Sequence, residues 1–479
     1  MDLIPMNNYV KTLVRRMAFI TGTKLTNDHN RILEYTFDYY RRHKVGPMYY
    51  NIKKNLGYSK DDIQKLFPHG LKSVYTWVDI PIQTPDQSCK PFPTIKVTDF
   101  RSVYLDHNAT TYVRPSILKM LNDYYAGKLG YGNPSSSTEP GREAYEIIEE
   151  ARRQIAFCLG VHSSEIVFTG SGSEANNLAI KGIAFKHFEH KGHIITSKIE
   201  HSSVLKTVRY LESLGFETTF LDVTKHGRIV PEDLEKALQE NTILVALMVA
   251  NNEIGTINPM KEIGNICRNY NVPLLMDGIQ AFGRIPLHPA EFGISMMSLS
   301  GHKVYAPKGV GALYVSKDIE LVPLVHGGGQ EMGLRAGTEN VGHIMAFGSA
   351  ARMICKDMEK ENQRLLELRD FFLDGIRKIE PNIVINGDLE NRLPNNLSIG
   401  FPGVDSGALL LSLNQVGIYT SSGSACSSGN AKSSHVLEAI DVDPREYGTL
   451  RFSMGLLTTQ QDLEYVLNYL AKILASLKS

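Results

Sequence analysis

The feature that most constrains this chain is an alternation of strand-like and helix-like segments over some two hundred residues after Tyr104. Short apolar runs with strand character are separated by longer segments with helical spacing. The strand-like runs lie at 166–168, 193–196, 217–221, 243–249 and 272–276, and helix-like segments near 203–214, 231–240 and 260–271 connect them. This order predicts an α/β fold with a mostly parallel sheet that is covered by helices on both faces.

A lysine within the segment 298–311 is the first candidate for chemistry. Small and polar residues surround Lys303, and a turn and an apolar strand at 311–315 follow it. Small neighbours leave room for a flat ligand, and Ser300 and His302 can donate hydrogen bonds to a phosphate. A lysine in this setting can bond covalently to an aldehyde cofactor, typically pyridoxal phosphate. From this segment alone, a surface loop lysine remains an equal alternative.

Two further features follow predicted strands, where such sheets bind ligands. The turn 169–173 opens a helix, so the backbone amides near Gly172 and Ser173 suit a phosphate. Asp277 ends an apolar strand, and a buried acid there requires a cationic partner. A protonated pyridine nitrogen would be such a partner, and its positive charge makes the ring an electron sink.

His201 and Asn252 also come directly after strand-like runs. The His201 ring could stack on a flat cofactor and move protons, although a lone histidine is more often structural. The amides at 251–252 suit a ring hydroxyl or a substrate carboxylate. A phosphate turn, a histidine, amides, an acid and a lysine, in this order along the chain, are together a more specific signal than any one of them.

Residues 1 to about 90 have a different, mainly helical character. Helices are predicted at 8–20, 28–43 with Asn27 as the N-cap, 48–56, 60–66 and 71–77. A segment with four prolines follows and cannot be helical, and it carries Cys89 beside Lys90, which favours the thiolate. A helix-turn-helix DNA-binding unit is the less favoured alternative, because the basic residues are scattered. An interdomain linker whose cysteine has no role is the other alternative.

Composition excludes several classes of function. The chain has 51 basic and 51 acidic residues, so bulk charge does not favour coating nucleic acid or a membrane surface. No apolar run approaches the roughly 20 residues that span a bilayer, and the N-terminus lacks a signal-peptide pattern, so a cytoplasmic location is expected. The five cysteines show no metal-ligand spacing and are expected to be free thiols. Cys158, Cys267 and Cys355 are expected to be buried small hydrophobes, and Cys426 and Cys89 are the candidates for reactivity.

Several motifs together resemble the class V aminotransferase family of fold type I, and within it the cysteine desulfurases of the NifS/IscS type. They are the residues 104–111, 131–136, 327–331, 335–340 and 421–426, in addition to the features above. The resemblance runs from about 103 to 475. It implies a pyridoxal phosphate-binding large domain at 103–342 and a small C-terminal α+β domain at 343–479 that carries the catalytic cysteine loop.

The resemblance also implies a role for each matching residue. Lys303 binds the cofactor aldehyde, Asp277 pairs with the pyridine nitrogen, Gln280 reaches the ring hydroxyl, and His201 stacks on the ring. Phosphate ligands are Gly172, Ser173, Ser300 and His302, with Thr338 from the second subunit of a homodimer. Asn252, which also borders the cofactor, holds the substrate carboxylate with Arg451, and Asn108 belongs to the same substrate site. Cys426 takes the sulfur atom of L-cysteine and becomes a persulfide, and alanine is the other product.

The first unit resembles the sulfur-carrier proteins of the DsrC/TusE type. The resemblance rests on the motifs 25–29, 39–40, 46–47 and 65–70 and on a proline-rich tail that ends in Cys89. It implies a carrier domain at 1–90, joined by a linker at 91–102, that receives the persulfide sulfur of Cys426 on Cys89. The alternatives are a desulfurase or selenocysteine lyase whose first domain only docks a partner, and a non-catalytic sulfur-carrier scaffold. Sulfur-acceptor proteins are expected partners, and the final destination of the sulfur stays open.

Three positions depart from the desulfurase pattern. The phosphate turn has serine at 173 where threonine is usual, which keeps the hydroxyl group. Met332 and Leu456 stand where arginines are common. The loss of two basic residues near the entrance could alter substrate handling or the docking of an acceptor. We expect the chemistry to remain, because the lysine, aspartate, histidine and cysteine are all present.

Overall fold

The computed structural model describes Met6 and residues 8–43, 46–78, 101–422 and 434–478, except for the side chains of residues 8 and 9. The described residues divide into two compact units. The smaller unit lies within residues 6–78, and the larger one comprises 101–422 and 434–478.

The described part of the smaller unit consists of helices. They are α1 (Asn8–Thr21), α2 (Asn27–His43), α3 (Tyr49–Leu56), α4 (Lys60–Leu66) and α5 (Leu71–Trp77). Their apolar faces form one core in which Phe67 and Trp77 pack edge to face, with ring centroids 5.3 Å apart. The prediction that Asn27 caps α2 is wrong. The helix begins at Asn27, and the hydroxyl of Thr26 accepts a hydrogen bond from the His29 amide at 3.5 Å, which is the bond an N-cap residue makes.

A seven-stranded sheet forms the centre of the larger unit. In chain order, the strands of this unit are β1 (Val103–Tyr104), β2 (Ile166–Thr169), β3 (His193–Ser197), β4 (Glu217–Leu221), β5 (Thr242–Met248), β6 (Leu274–Asp277), β7 (Met296–Ser300), β8 (Gly311–Val315), β9 (Val384–Ile385), β10 (Asn396–Pro402), β11 (Ile418–Tyr419) and β12 (Tyr447–Ser453). The order in the large sheet is β2-β8-β7-β6-β5-β3-β4. Its pairs are parallel except for those of β8, which is antiparallel to β2 and to β7.

Helices cover both faces of this sheet. The α-helices of the larger unit are α6 (Pro115–Asp123), α7 (Glu139–Leu159), α8 (Gly172–Lys186), α9 (Ser202–Ser213), α10 (Pro231–Ala237), α11 (Met260–Asn269), α12 (Val341–Ile379), α13 (Ser406–Gln415), α14 (His435–Ala439) and α15 (Gln460–Lys478). One apolar core packs α8 and α9 against the sheet, and another packs α7, α11 and the first half of α12 against the opposite face. The predicted α/β architecture with a mostly parallel sheet is therefore confirmed.

The C-terminal part of the larger unit has its own core around a smaller sheet of order β12-β10-β9. Helix α12 connects the two cores, because Phe347 near its start is buried in the large core and Phe372 near its end in the C-terminal core. The boundary predicted at 342/343 falls at the start of this helix, and the compact unit continues across it.

The described cysteines differ in exposure. Cys267 is buried at 1% exposure, as a small core residue would be. Cys158 and Cys355 are only half-buried, and their thiols contact each other across α7 and α12. The expectation that these two are buried small hydrophobes is therefore wrong in degree, because each is only half-buried. Among the described helices, none combines the length and the apolar composition needed to cross a bilayer.

Candidate active site

The parallel strands β3, β5, β6 and β7 bring their carboxyl ends to one edge of the sheet. Asp277 is the last residue of β6 and is 6% exposed. One of its oxygens accepts a hydrogen bond from the side-chain amide of Asn176 at 2.8 Å, and the other from the backbone amide of Ile279 at 3.0 Å. These donors are neutral. Among the residues that the structure describes, Asp277 has no salt bridge to lysine or arginine, so its charge requires another cation.

A chain of hydrogen bonds connects Asp277 to His201. The Asn176 amide that reaches Asp277 also donates to Ser203 Oγ at 2.9 Å, and Ser203 Oγ lies 2.8 Å from His201 Nδ1. The Ser203 backbone amide donates to the same nitrogen at 3.1 Å. Because Nδ1 accepts these bonds, the neutral ring carries its proton on Nε2. Burial, opposed by Asp277 and assisted by Lys303, lowers the pKa of His201 and favours this neutral form.

Lys303 follows β7 in a short 3-10 helix. Its Nζ donates hydrogen bonds to the backbone carbonyl oxygens of Asn108 and, at 2.8 Å, of Ala109. The same Asn108 carbonyl accepts the side-chain amide of Gln280 at 2.8 Å. Gln280 Oε1 is buried without a hydrogen-bond partner among the described residues. This acceptor can receive a hydroxyl group of a ligand next to the lysine.

Arg451 lies on β12 and is 3% exposed. One terminal nitrogen pairs with Asp106 at 2.5 Å, and the other donates to the backbone carbonyl of Asn252 at 3.0 Å. The side-chain amide of Asn108 donates to the same carbonyl at 3.2 Å. The structure thus brings Arg451, Asn252 and Asn108 together. Asp106 fixes the guanidinium, and the motif 104–111 was the signal that could have identified it as a site residue.

The turn that precedes α8 packs directly on the strand ends. A Cβ atom on Gly172 would lie 2.2 Å from Ile279 Cδ1 and 3.2 Å from Ser300 Cβ. This close packing requires glycine and places the turn beside Ser300. His302 lies nearby, with Nδ1 3.1 Å from Thr110 Oγ1, and burial lowers its pKa to about 4. Ser173 is the second residue of this helix and is exposed.

The segment that carries Thr338 is attached to the start of α8 and to α7 by two ion pairs, and to β2 by a hydrogen bond. Arg335 pairs with Glu174 at 2.9 Å, and Thr338 itself is exposed. Glu331 is 5% exposed and accepts both terminal nitrogens of Arg152, at 2.8 and 2.9 Å. It also accepts the Phe168 amide at 2.6 Å. The carboxylate of Glu331 therefore holds the strand that leads into the turn.

The two departures at which arginines are common, Met332 and Leu456, lie in different surroundings. Met332 follows Glu331, has a left-handed backbone (φ 57°) and is 53% exposed. Leu456 is half-buried against the large core, and its backbone amide donates to Tyr305 Oη at 2.9 Å. Met332 therefore changes the surface, whereas Leu456 is part of the packing beside Tyr305.

The segment that contains Cys426 lies outside the described residues, as does Cys89, but the flanks of that segment are described. Before it, Ser421 exchanges backbone hydrogen bonds with Arg451 at 2.6 and 3.2 Å. After it, Ser434 Oγ donates to Glu253 at 2.5 Å, and His435 Nε2 donates to the Glu200 carbonyl oxygen at 3.0 Å. Both flanks are thus attached to the residues around the site. These contacts join positions far apart in sequence, and sequence reasoning missed them.

Pyridoxal phosphate fits this arrangement of side chains. The buried carboxylate of Asp277 requires a cationic partner, which a protonated pyridine nitrogen supplies. The orphaned Gln280 Oε1 can accept a ring hydroxyl. The tight approach at Gly172 and the helix start behind it suit a phosphate, and Lys303 provides the amine.

Comparisons with known proteins point to one family. The family model for aminotransferase class-V matches residues 103–466. Cysteine desulfurase IscS of Dictyoglomus turgidum is 46% identical over 381 residues, covering 79% of this chain and 96% of the relative. Cysteine desulfurase IscS of Methanosarcina thermophila is 43% identical over 384 residues, covering 80% and 94%.

Solved structures give the same result. A NifS-like protein aligns with a TM-score of 0.74 at 36% identity, covering 79% of this chain and all of that one. SspA in complex with cysteine aligns with a TM-score of 0.66 at 37% identity, covering 74% and 99%. Asp277, His201, Lys303 and Arg451 thus belong to a fold that these relatives share. The chain belongs to the class V aminotransferase family, in its IscS/NifS group of cysteine desulfurases.

Proposed function

We propose that this protein is a pyridoxal phosphate-dependent cysteine desulfurase that converts L-cysteine to L-alanine and keeps the sulfur as a persulfide on Cys426. The observation that carries this proposal is the convergence of Asp277, His201 and Lys303 at one sheet edge, with Arg451 held beside Asn252. When bound, pyridoxal phosphate supplies an aldehyde for the substrate amine and a ring that accepts the electrons of the Cα–H bond.

The substrate is held by its carboxylate. Arg451 presents a planar guanidinium, which can form two parallel hydrogen bonds to a carboxylate. Its contacts with Asp106 and with the Asn252 carbonyl orient it before substrate arrives. A carboxylate held there places the amine of the amino acid toward Lys303.

Proton movement falls to Lys303 and His201. The Lys303 amine takes the proton from Cα, and the nearby backbone carbonyls of Asn108 and Ala109 orient it. His201 presents Nε2–H because Nδ1 is occupied by the Ser203 amide and hydroxyl. Asp277 contributes a fixed negative charge behind these groups.

The sulfur step uses Cys426. Its thiolate attacks the sulfur of the substrate, the S–S bond forms, and the Cβ–S bond breaks. L-cysteine and the Cys426 thiol thus give L-alanine and the Cys426 persulfide, with no other reactant. The residues on either side of its segment, Ser421 and Ser434, are bonded to Arg451 and Glu253 beside the site.

We further propose that Cys89 of the first unit accepts the sulfur. The Cys89 thiolate attacks the outer sulfur of the persulfide, and Cys426 leaves as a thiolate. The support is the resemblance of residues 8–90 to the sulfur carriers and the length of the connecting chain. Cys89 lies 11 residues after Val78, and a chain of that length reaches at most roughly 38 Å. A covalent tether of this kind raises the effective concentration of the acceptor to about millimolar.

We also propose that the protein assembles as a homodimer. A homodimer in which Thr338 of one copy binds the phosphate of the other explains why Thr338 is exposed although its segment is attached to the phosphate turn. Sulfur-acceptor proteins are the expected partners, and the cytoplasm is the expected location.

The decisive experiment is mass spectrometry of the holoenzyme after brief exposure to L-cysteine, with peptide mapping of persulfides. We expect alanine and sulfur adducts on Cys426 and Cys89, and we expect both adducts to be lost in Cys426→Ala. An adduct on Cys426 alone would refute the relay and leave a desulfurase whose first unit docks a partner. Formation of neither alanine nor an adduct would refute the enzyme and leave a non-catalytic scaffold. Activity with selenocysteine but not cysteine would indicate the lyase.

A further inference from the structure

A cavity of about 430 Å³ opens between α7, α12 and the segment that follows β6. None of the active-site residues described above lines it. Its walls include Phe157, Phe282, His288 and the two half-buried cysteines Cys158 and Cys355. The cavity is large enough to admit a small solute to both thiols.

The two thiols face each other across the helices. Both are free, and they are joined by a side-chain hydrogen bond. Cys158 Sγ also lies 3.5 Å from the carbonyl oxygen of Ala351, to which it donates. The single S–H proton of Cys158 can be accepted by this oxygen or by Cys355 Sγ, so the contacts favour Cys158 as the member of the pair that keeps its proton. Neither thiol has a place in the desulfurase chemistry.

The surroundings make the two cysteines unequal. The hydrogen bond from Cys158 lowers the pKa of Cys355, and the nearby Arg352 lowers it further, although burial opposes both. The same hydrogen bond and burial raise the pKa of Cys158. The Arg352 guanidinium is held in place over the Phe157 ring, 3.7 Å from its centroid. One cysteine is thus prepared to be a thiolate nucleophile and the other to remain a thiol, as in reactive cysteine pairs.

We propose that Cys158 and Cys355 form a redox-active dithiol that a small hydroperoxide, entering through the cavity, oxidises to a disulfide between α7 and α12. The Cys355 thiolate attacks the peroxide, the O–O bond breaks, and a sulfenic acid and hydroxide are formed. The Cys158 thiol then attacks the sulfenic sulfur, which expels a second hydroxide. Two thiols lose two electrons, and with hydrogen peroxide the two oxygen atoms leave as water.

The test treats the holoenzyme with hydrogen peroxide at increasing ratios, alkylates the remaining thiols and digests the protein with trypsin. We expect a cross-linked pair of peptides, 154–181 with 353–356, and a loss of two hydrogens from the intact mass that a reductant restores. Cys158→Ser and Cys355→Ser must each abolish the cross-link. Cys267→Ser is the matched control and must retain it.

A rate measurement separates this proposal from accidental oxidation. Arg352→Met should slow formation of the cross-link by roughly threefold or more, because the cation favours the thiolate. Arg153→Met, an exposed arginine on α7, should leave the rate unchanged. The proposal is overturned if the two cysteines are oxidised separately to sulfinic acids, or if Cys158 or Cys355 pairs instead with Cys89 or Cys426. Desulfurase activity does not enter the readout, so failure here leaves the proposed function untouched.

Discussion

Replacement of Glu331 by glutamine tests whether the strand before the phosphate turn depends on one buried ion pair. Glutamine keeps the shape of the side chain but removes its charge. Arg152, with a side chain 8% exposed, would lose its two charge-assisted hydrogen bonds to this carboxylate. Breaking one side of a buried pair typically costs 3–5 kcal/mol. Arg152 keeps its bonds to Glu149 and to the Ile166 carbonyl oxygen, so we expect the low end, about 3 kcal/mol of unfolding free energy.

The assay can monitor the two units separately. Trp77 is the single tryptophan of the chain and belongs to the smaller unit. Far-ultraviolet circular dichroism during urea unfolding reports mainly the larger unit, and tryptophan fluorescence reports the smaller one. We expect the first transition to move to lower urea and the second to stay, because the contacts of Glu331 named above all lie in the larger unit.

Two variants complete the design. The double variant Arg152→Met with Glu331→Gln also removes the charge that the single variant leaves unpaired. Its loss of unfolding free energy should therefore be smaller than the sum of the two single losses by at least about 1.5 kcal/mol. Arg153→Met, which removes an exposed pair with Glu150, should cost less than about 1 kcal/mol. The reasoning is refuted if Glu331→Gln costs no more than Arg153→Met.

Three other predictions concern the site. Arg451→Lys should raise KM for L-cysteine by roughly tenfold or more with a smaller change in kcat, because lysine cannot reproduce the planar fork; steady-state alanine formation measures this, and an unchanged KM would contradict it. Gly172→Ala should weaken retention of the cofactor through overpacking of about 1–3 kcal/mol against Ile279, and Ile279→Val should restore part of it in an equilibrium dialysis measurement. Glu200 is fully buried, and burial raises its pKa to about 8, so its folded form holds a proton that the unfolded chain releases. Stability should therefore fall with a slope of up to about 1.4 kcal/mol per pH unit between roughly pH 4.5 and 8, and Glu200→Gln should remove this slope in unfolding measured across that range.

The sequence predicted the positions of helices and strands better than it predicted how those elements pair and pack with one another. Strand 217–221 and helix 60–66 have the predicted bounds, because apolar runs and caps are local signals. The antiparallel direction of β8 was not predicted, since an apolar run has the same pattern in either direction. The N-cap of α2 was misassigned by one residue, because Thr26 and Asn27 are both good caps and only the backbone decides between them.

The site shows the same limit. Asp277, His201 and Lys303 each follow a strand-like run, so a parallel sheet implies that they converge. The link from Asp277 through Asn176 and Ser203 depends on how α8 and α9 pack, and no local pattern encodes it. The contact between Cys158 and Cys355 was missed for the same reason, since these two residues lie 197 positions apart in sequence and meet only in the folded protein.

The attachment of the Cys426 segment at Ser421 and Ser434 has a consequence for how its length can vary. When both ends of a segment are fixed, a longer segment extends farther but brings its middle residues to any one point less often. The second effect is small, because each doubling of the length costs only about 0.6 kcal/mol of closure entropy. Inserting glycine and serine residues beside Cys426 would therefore lower its frequency of encounter with the substrate only a few-fold. The same insertion would extend the distance over which sulfur can be delivered. Natural variation in the length of this segment can therefore favour either fast turnover or delivery to a more distant acceptor. The residues that hold the cofactor need not change.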